Sequence, residues 1–188
     1  MANANRPTGL SPVSIFGVPY AGQGNIYAVA ANYASAIAIG DPVASVGGAS
    51  ADGYPLVQLA AAGATIRGVV VGIGRSPTVL ANWGNLDTTV RPASAGYVGY
   101  LLVADDPNIV FEIQQADTVN ADIGDNADLV AGANNGFVSG YTLSSTVGTA
   151  TAQCRILGLV NRPGNEFGDY AKVLVKINEH ELSSATGV

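Results

Sequence analysis

The chain has 188 residues, of which only 12% are charged, while hydrophobic residues make up 48%. An ordinary soluble domain has about 25% charged residues, and disordered chains are poor in apolar residues, so this composition excludes disorder. A net charge of −6 with only two lysines argues against a nucleic-acid binder, which needs a basic surface. The low charge leaves open what covers so much uncharged surface.

Membrane insertion does not answer that question. The most apolar runs are residues 66–73 and 97–104, whereas a spanning helix needs about 20 apolar residues in succession. The aromatic residues are spread along the chain and form no girdle of the kind that membrane barrels carry. The first ten residues lack the charged-then-apolar order of a secretion signal. We therefore expect a protein that is made and kept in the cytoplasm unless assembly carries it out.

Residues 1–25 predict an extended N-terminal arm. Prolines at 7, 12 and 19 disfavour a helix and bias the residues before them toward extended backbone. Several side chains in this segment are nevertheless apolar, so a flexible linker is a poor interpretation. Two interpretations stay open: the arm packs on its own domain, or it reaches a neighbouring subunit.

After the arm, short runs rich in Val, Ile, Leu and Tyr alternate with Gly, Pro, Asn or Asp, as is typical of β-strands and turns. In residues 170–177, Lys172 and Lys176 share one face and the apolar residues the other, which indicates a half-buried antiparallel strand. Residues 28–38 have the propensity for a short helix, and residues 79–86 for one helical turn. The predicted strands are 26–30, 36–39, 42–46, 54–60, 66–73, 97–104, 108–114, 137–143, 152–160 and 170–177.

A weak internal repeat divides the chain. Ile39-Gly40-Asp41 recurs as Ile123-Gly124-Asp125, and residues 70–77 match residues 156–163, with Gly72 on Gly158. The order is kept along the chain, although abundant glycine can produce such matches by chance. The prediction is an all-β fold with two small, similar antiparallel β-barrel or sandwich modules, residues 26–104 and 105–188, and a seam near 78–107.

Signatures of catalysis and metal binding are missing from the sequence. Half of the acidic residues lie between positions 105 and 128, but their spacing is not that of a calcium loop, so a solvated acidic face is the favoured interpretation. Cys154 lies in an apolar run and His180 is far from it in the chain, which favours a small buried side chain over a nucleophile. We expect no catalytic residue, metal site or cofactor.

The basic residues are mostly arginines, six against two lysines. Arginine binds carboxylates through a planar pair of donors and is common in interfaces. Arg75 and Arg162 each precede a proline at a strand exit, where they would hold an acidic loop of the same or an adjacent subunit. Ordinary surface arginines are the alternative.

Several segments resemble the cement, or decoration, proteins of tailed bacteriophage capsids. They are NANRPTGLSPV (3–13), IGDPV (39–43), DPNIVFEIQ (106–114), DIGDNA (122–127), RILGLVNRP (155–163) and GDYAKVLVKIN (168–178). The resemblance spans nearly the whole chain, and none of its motifs is catalytic. It implies a structural virion protein, made in the host bacterial cytoplasm, that binds the outer surface of the head and stabilises contacts between major capsid protein subunits.

The resemblance also implies the partners and a contact made by the terminal arm, and the arginines discussed above complete the predicted contact set. The partners are the major capsid protein and other copies of this chain, with a homotrimer favoured over a dimer, and neither nucleic acid nor membrane. Deleting residues 1–20 is expected to leave the modules folded and to abolish capsid binding. The predicted contacts with the capsid or a neighbouring subunit are Arg6, Pro7, Leu10, Val13, Phe16, Tyr20, Arg75 and Arg162.

Other functions compete with this interpretation. The nearest is another β-type virion protein, such as a tail-tube or baseplate component, which would differ in its oligomeric state. A glycan hydrolase would need a pair of carboxylates, and the sequence singles out none. A small-ligand barrel would need an apolar cavity.

Overall fold

The computed structural model describes residues 3–77 and 88–183, and these residues form an all-β fold without an α-helix. All ten predicted strand ranges overlap a strand. The strands are β1 (Ser11–Ile15), β2 (Val18–Pro19), β3 (Asn25–Val29), β4 (Ile37–Ala38), β5 (Pro42–Ala49), β6 (Pro55–Leu59), β7 (Gly68–Gly74), β8 (Val90–Arg91), β9 (Gly99–Ala104), β10 (Ile109–Gln114), β11 (Asn126–Val130), β12 (Thr142–Gly148), β13 (Cys154–Leu159) and β14 (Lys172–Ile177).

The alanine-rich residues 28–38 do not form the short helix that their propensity allows, because β3 ends at Val29 and β4 begins at Ile37. Ala28, Val29 and Ile37 are fully buried, so tertiary packing overrides the helix propensity of the alanines. The helical turn predicted for residues 79–86 lies outside the described residues. Strand β11 was not predicted, because its acidic residues suggested a solvated loop.

A closed barrel is built from five strands in the order β3-β6-β5-β7-β9. Neighbouring strands in the barrel pair antiparallel, except that β3 and β6 pair in parallel at Ala28 and Leu56. The side chains that fill it are buried and mostly β-branched, which suits the alternation of inward and outward residues in a small barrel. They are Tyr27, Val29, Ile37, Val43, Val57, Val70, Ile73, Leu101 and Val103.

The second half of the chain forms most of a seven-stranded sheet, in the order β12-β11-β13-β14-β10-β1-β2. A parallel bridge between Gln115 and Leu143 brings the end of β10 next to β12. The core of the seven-stranded sheet also includes side chains from the outside of the barrel, among them Ala60, Ile66 and Val69. The two halves therefore share one apolar contact region.

The repeated Ile-Gly-Asp sequences make the same turn in both halves. Gly40 and Gly124 both have positive φ, 91° and 99°, a conformation that glycine adopts without steric cost. The Gly40 amide donates to Val70 (2.8 Å), and the Gly124 amide donates to Ile156 (2.9 Å). The strand that accepts each bond has a register shift just beyond the acceptor, at Gly72 and at Gly158.

The N-terminal segment lies along the second half of its own chain. β1 pairs with β10, from Ser11 opposite Glu112 to Ile15 opposite Ile109. Leu10 is only 1% exposed and belongs to the core of the seven-stranded sheet. Deletion of residues 1–20 would therefore uncover the β10 edge and leave a cavity at Leu10, so the expectation that such a deletion spares the fold does not suit this structure.

Three backbone segments meet where the N-terminal segment crosses the Gly40 turn. The Leu10 amide donates to the Gly40 carbonyl (3.0 Å), and the Ser139 amide donates to the Ile39 carbonyl (2.8 Å). A Cβ atom on Gly40 would overlap the carbonyl oxygen of Thr8, and one on Gly9 would overlap the carbonyl oxygen of Gly40. Glycine is thus required here both for φ and for the close approach of two chains.

We expect Gly40→Ala to destabilise the protein by about 3 kcal/mol or more, because it adds a steric overlap to an unfavourable φ. Gly124→Ala is the matched control, since Gly124 has a similar φ but open space around it; its expected cost is about 1 kcal/mol. Urea unfolding of both variants measures the difference. Equal losses of stability would contradict the inferred role of the crossing.

Candidate interface surface

The β1–β2 hairpin ends in an exposed apolar tip. Ile15 pairs with Val18, so Phe16 and Gly17 form a two-residue turn with φ of 50° and 79°. Positive φ at both central residues is typical of the tight turns that join antiparallel strands. At the tip, Phe16 is 78% exposed and Val18 65% exposed.

Phe16 is an unusual residue for this position. Positive φ costs a bulky residue about 1–3 kcal/mol relative to the common regions, and Asn or Gly would fit the turn better. Its ring gains little by burial within this chain, because most of it is exposed. A strained, exposed aromatic residue is a candidate for contact with a partner, since aromatic side chains often anchor protein interfaces.

The hairpin is held on the body of the protein at its base. The Tyr20 amide donates to the Val13 carbonyl (2.9 Å), and the Tyr20 hydroxyl donates to the Gln23 carbonyl. Ile15 and Tyr20 pack against the core of the seven-stranded sheet. The tip is therefore presented on a fixed support, which lowers the conformational entropy that a partner contact would cost.

The predicted contact residues of the N-terminal segment fall into two groups. Leu10 is buried and packs into the core of its own chain. Val13 is 41% exposed and, like Phe16, points away from that core. Arg6 is exposed and Pro7 half-buried, and the backbone of Arg6 is bound on both sides: its amide donates to Gln114 Oε1 (2.8 Å) and its carbonyl accepts from Lys172 Nζ (3.0 Å).

The two predicted arginines have partners within the chain. The Arg75 guanidinium lies 4.7 Å from the centre of the Tyr97 ring. Arg162 forms an ion pair with Glu112 on β10 (2.9 Å), so it does hold an acidic residue of its own subunit. Both arginines are exposed, and exposed pairs stabilise a fold by at most about 1 kcal/mol. An intersubunit role for either stays a prediction.

The acidic segment is only partly a solvated face. Asp106, Asp117 and Asp128 are exposed, whereas Asp105 and Asp122 are buried. Asp122 accepts a hydrogen bond from the Val119 amide (2.9 Å) in a short 3-10 turn. The expectation of one solvent-facing acidic side is therefore too simple, because carboxylates also serve the fold as hydrogen-bond acceptors.

Buried Asp105 is the centre of a partly buried polar network between β3, β7 and β9. Its carboxylate accepts hydrogen bonds from the Tyr27 hydroxyl (2.6 Å) and from Asn25 Nδ2 (3.0 and 3.1 Å). Arg67 Nε donates to the Tyr27 oxygen (2.7 Å). Burial, with the adjacent Asp105, raises the pKa of Tyr27 to about 12. All these groups satisfy one another, which is what a structural network requires.

The remaining candidate chemistry is buried or dispersed. Cys154 is fully buried, and burial raises the pKa of its thiol to about 12, as expected for a packing residue rather than a nucleophile. Within residues 3–77 and 88–183, no three His, Cys, Asp or Glu side chains are grouped so as to hold a metal ion. No helix in the described part of the chain is long and apolar enough to cross a membrane.

Among the described residues, Val18 and Phe137 are the most exposed large apolar side chains outside the predicted contact set. Val18 stands beside Phe16 at the hairpin tip, and Phe137, in the loop before β12, is 69% exposed. A signal for Val18 was available: a Phe-Gly pair between two apolar residues fits a two-residue turn that pushes its neighbours outward. No signal marks Phe137, because its exposure depends on the course of the surrounding loop.

Comparisons with protein-family models, with curated proteins and with solved structures found no match for this chain.

Leu10→Ala and Phe16→Ser should separate the two kinds of N-terminal residue. We expect Leu10→Ala to lower the free energy of unfolding by about 2–5 kcal/mol, as removal of a buried leucine does. Phe16→Ser should change it by less than about 1 kcal/mol, because little of its side chain is buried. Chemical denaturation measures both values. A large loss in Phe16→Ser would assign that ring a packing role.

Proposed function

We propose that this protein is a cement protein of a tailed-phage head, which binds the outer capsid surface and stabilises contacts between major capsid protein subunits. The observation that carries the proposal is the hairpin tip with exposed Phe16 and Val18, whose base is paired and packed on the body of the protein. The tip directly follows residues 3–13, one of the segments that resemble cement proteins. An apolar tip on a fixed support suits insertion into a groove or subunit junction.

We also infer that the chain consists of two similar β modules. The inference rests on the matching order of strand pairing: β3-β9-β7-β5-β6 in one half corresponds to β10-β14-β13-β11-β12 in the other. The parallel contacts also correspond, Ala28 with Leu56 and Gln115 with Leu143. The Ile-Gly-Asp turns, with their identical hydrogen bonds, support the same inference.

The distribution of charge supports binding outside the head rather than inside. The net charge of −6 would be repelled by packaged DNA. The first 25 residues carry a single charged side chain, Arg6. Burying this segment against a partner therefore costs little free energy for removing water from charged groups. Binding only the assembled lattice stabilises that lattice by mass action, and many copies on one shell add to the effect.

Binding to capsids lacking this protein tests the proposal. We expect the double substitution Phe16→Ser and Val18→Ser to weaken binding by about tenfold or more, since interface anchors are worth at least about 1.4 kcal/mol. Phe137→Ser is the matched control: it also removes an exposed phenylalanine and should bind like the unmodified protein. Co-sedimentation over a range of concentrations gives the affinities. Undiminished binding of the hairpin variant would exclude the tip as the contact.

The cementing role has its own test on intact heads. Heads with the bound protein should resist heating better than bare heads, because dissociation would have to break the added contacts. The loss of DNA into solution on heating measures head integrity. Equal stability of decorated and bare heads would contradict cementing even if binding occurs.

The oligomeric state separates this proposal from the tail-tube or baseplate alternative. We expect a trimer by light scattering in solution. Hexameric rings that stack into tubes would instead favour a tail-tube protein, since tubes grow from interfaces that repeat without closing.

A further inference from the structure

We propose that the C-terminal segment is an acid-sensitive latch between the two halves of the protein, and that His180 is its sensor. We define the latch as residues 179–183. This inference is independent of the proposed capsid role, because it concerns only contacts within the chain.

The latch joins the second half to the barrel through two pairs of contacts. Ile66, just before β7, donates from its amide to the Glu179 carbonyl (2.8 Å), and its carbonyl accepts from the Glu181 amide (3.0 Å). The Glu181 carboxylate accepts from the Ser45 amide (2.7 Å) and from the Ser45 hydroxyl (2.5 Å) on β5. Glu179 and Glu181, the residues on either side of His180, are therefore both hydrogen-bonded to the first half of the chain.

His180 lies between these two hydrogen-bonded residues and is only 2% exposed. Its Nδ1 atom accepts a hydrogen bond from the Leu182 amide (3.1 Å), so the proton of the neutral ring lies on Nε2. Nε2 has no hydrogen-bonding partner among the described residues. Within the described residues, no carboxylate therefore forms a hydrogen bond with the ring that would stabilise a positive charge.

Protonation of this ring has two costs in the closed latch. The second proton must go to Nδ1, where it would face the Leu182 N–H and remove the acceptor of that bond. The new charge would also be buried, and burial already lowers the pKa of His180. The nearby Arg67 opposes the charge, whereas Asp105, Asp106 and Glu181 favour it without outweighing burial.

The sign of the pH effect follows from these costs. A histidine whose pKa is lowered in the closed state binds fewer protons there than in the open state. The closed latch is therefore at full stability above the ordinary histidine pKa of about 6.5, and it loses stability as the pH falls below that value. The loss ends once the pH is below the lowered pKa of the closed form.

Amide hydrogen exchange of the full chain, followed by NMR, tests the proposal. The Ile66 and Glu181 amides report the latch, and the Val103 amide in the barrel reports global opening. Between about pH 7.5 and about pH 5.5, exchange corrected for its intrinsic pH dependence should accelerate at Ile66 and Glu181, by at most about tenfold, but not at Val103. Unchanged protection at the two latch amides would overturn the proposal.

Two variants assign the effect to His180. In His180→Asn, the side-chain oxygen can replace Nδ1 as the acceptor for Leu182 but does not titrate, so the acid sensitivity should disappear. Glu181→Gln removes the carboxylate that binds Ser45 but keeps the His180 ring, so the acid sensitivity should remain. If His180→Asn is equally acid-sensitive, the sensor is another group and the proposal fails.

A direct titration covers the case in which His180→Asn does not fold. The ring protons of His180 in the unmodified protein should titrate with the same midpoint as the accelerated exchange of Ile66 and Glu181. Coincident midpoints support the proposal, and separate midpoints overturn it.

Discussion

The close passage of the N-terminal segment over the Gly40 turn is the contact on which the arrangement of the molecule depends. At this point the Gly40 amide is bound to β7, its carbonyl to the Leu10 amide, and the adjacent Ile39 carbonyl to Ser139. The segment before β1, the barrel and the second half are thus joined within two residues. Only glycine at 9 and 40 allows the backbones to approach so closely.

The consequences extend from this crossing to the candidate interface. Because Leu10 is anchored beside Gly40, the chain enters β1 in position to cover the edge of β10, and the hairpin then ends at Phe16 and Val18. An edge strand left open would be a site for unspecific pairing. Here the edge is covered by β1, and the outermost strand, β2, is only two residues long and includes Pro19, which cannot donate a ladder hydrogen bond. The exposed side chains, rather than the backbone, are left for recognition.

Local patterns predicted most of the strands but not their assignment to sheets. Strands β7, β9 and β14 were predicted because their signals lie within a short stretch of sequence. These signals are the apolar runs 66–73 and 97–104 and the alternation of polar and apolar residues in 170–177. The acidic residues in and around β11 concealed its buried positions, Ala127 and Leu129, which belong to the core of the seven-stranded sheet. For the candidate site, Val13, Phe16 and Tyr20 were identified as apolar residues of an extended segment. The sequence around these residues does not distinguish them from Leu10, whose place in the core is shown only by its burial in the structure.

What the sequence determined by itself was the all-β character, the turn glycines and the low charge of the N-terminal segment. These properties follow from the period of the apolar residues, from the φ angles that glycine permits and from composition, all of which are local. The pairing of β1 with β10, the burial of Asp105 and His180, and the exposure of the hairpin tip became apparent only in the folded protein. Each of these depends on contacts between residues far apart in the chain, and no short stretch of sequence records such contacts.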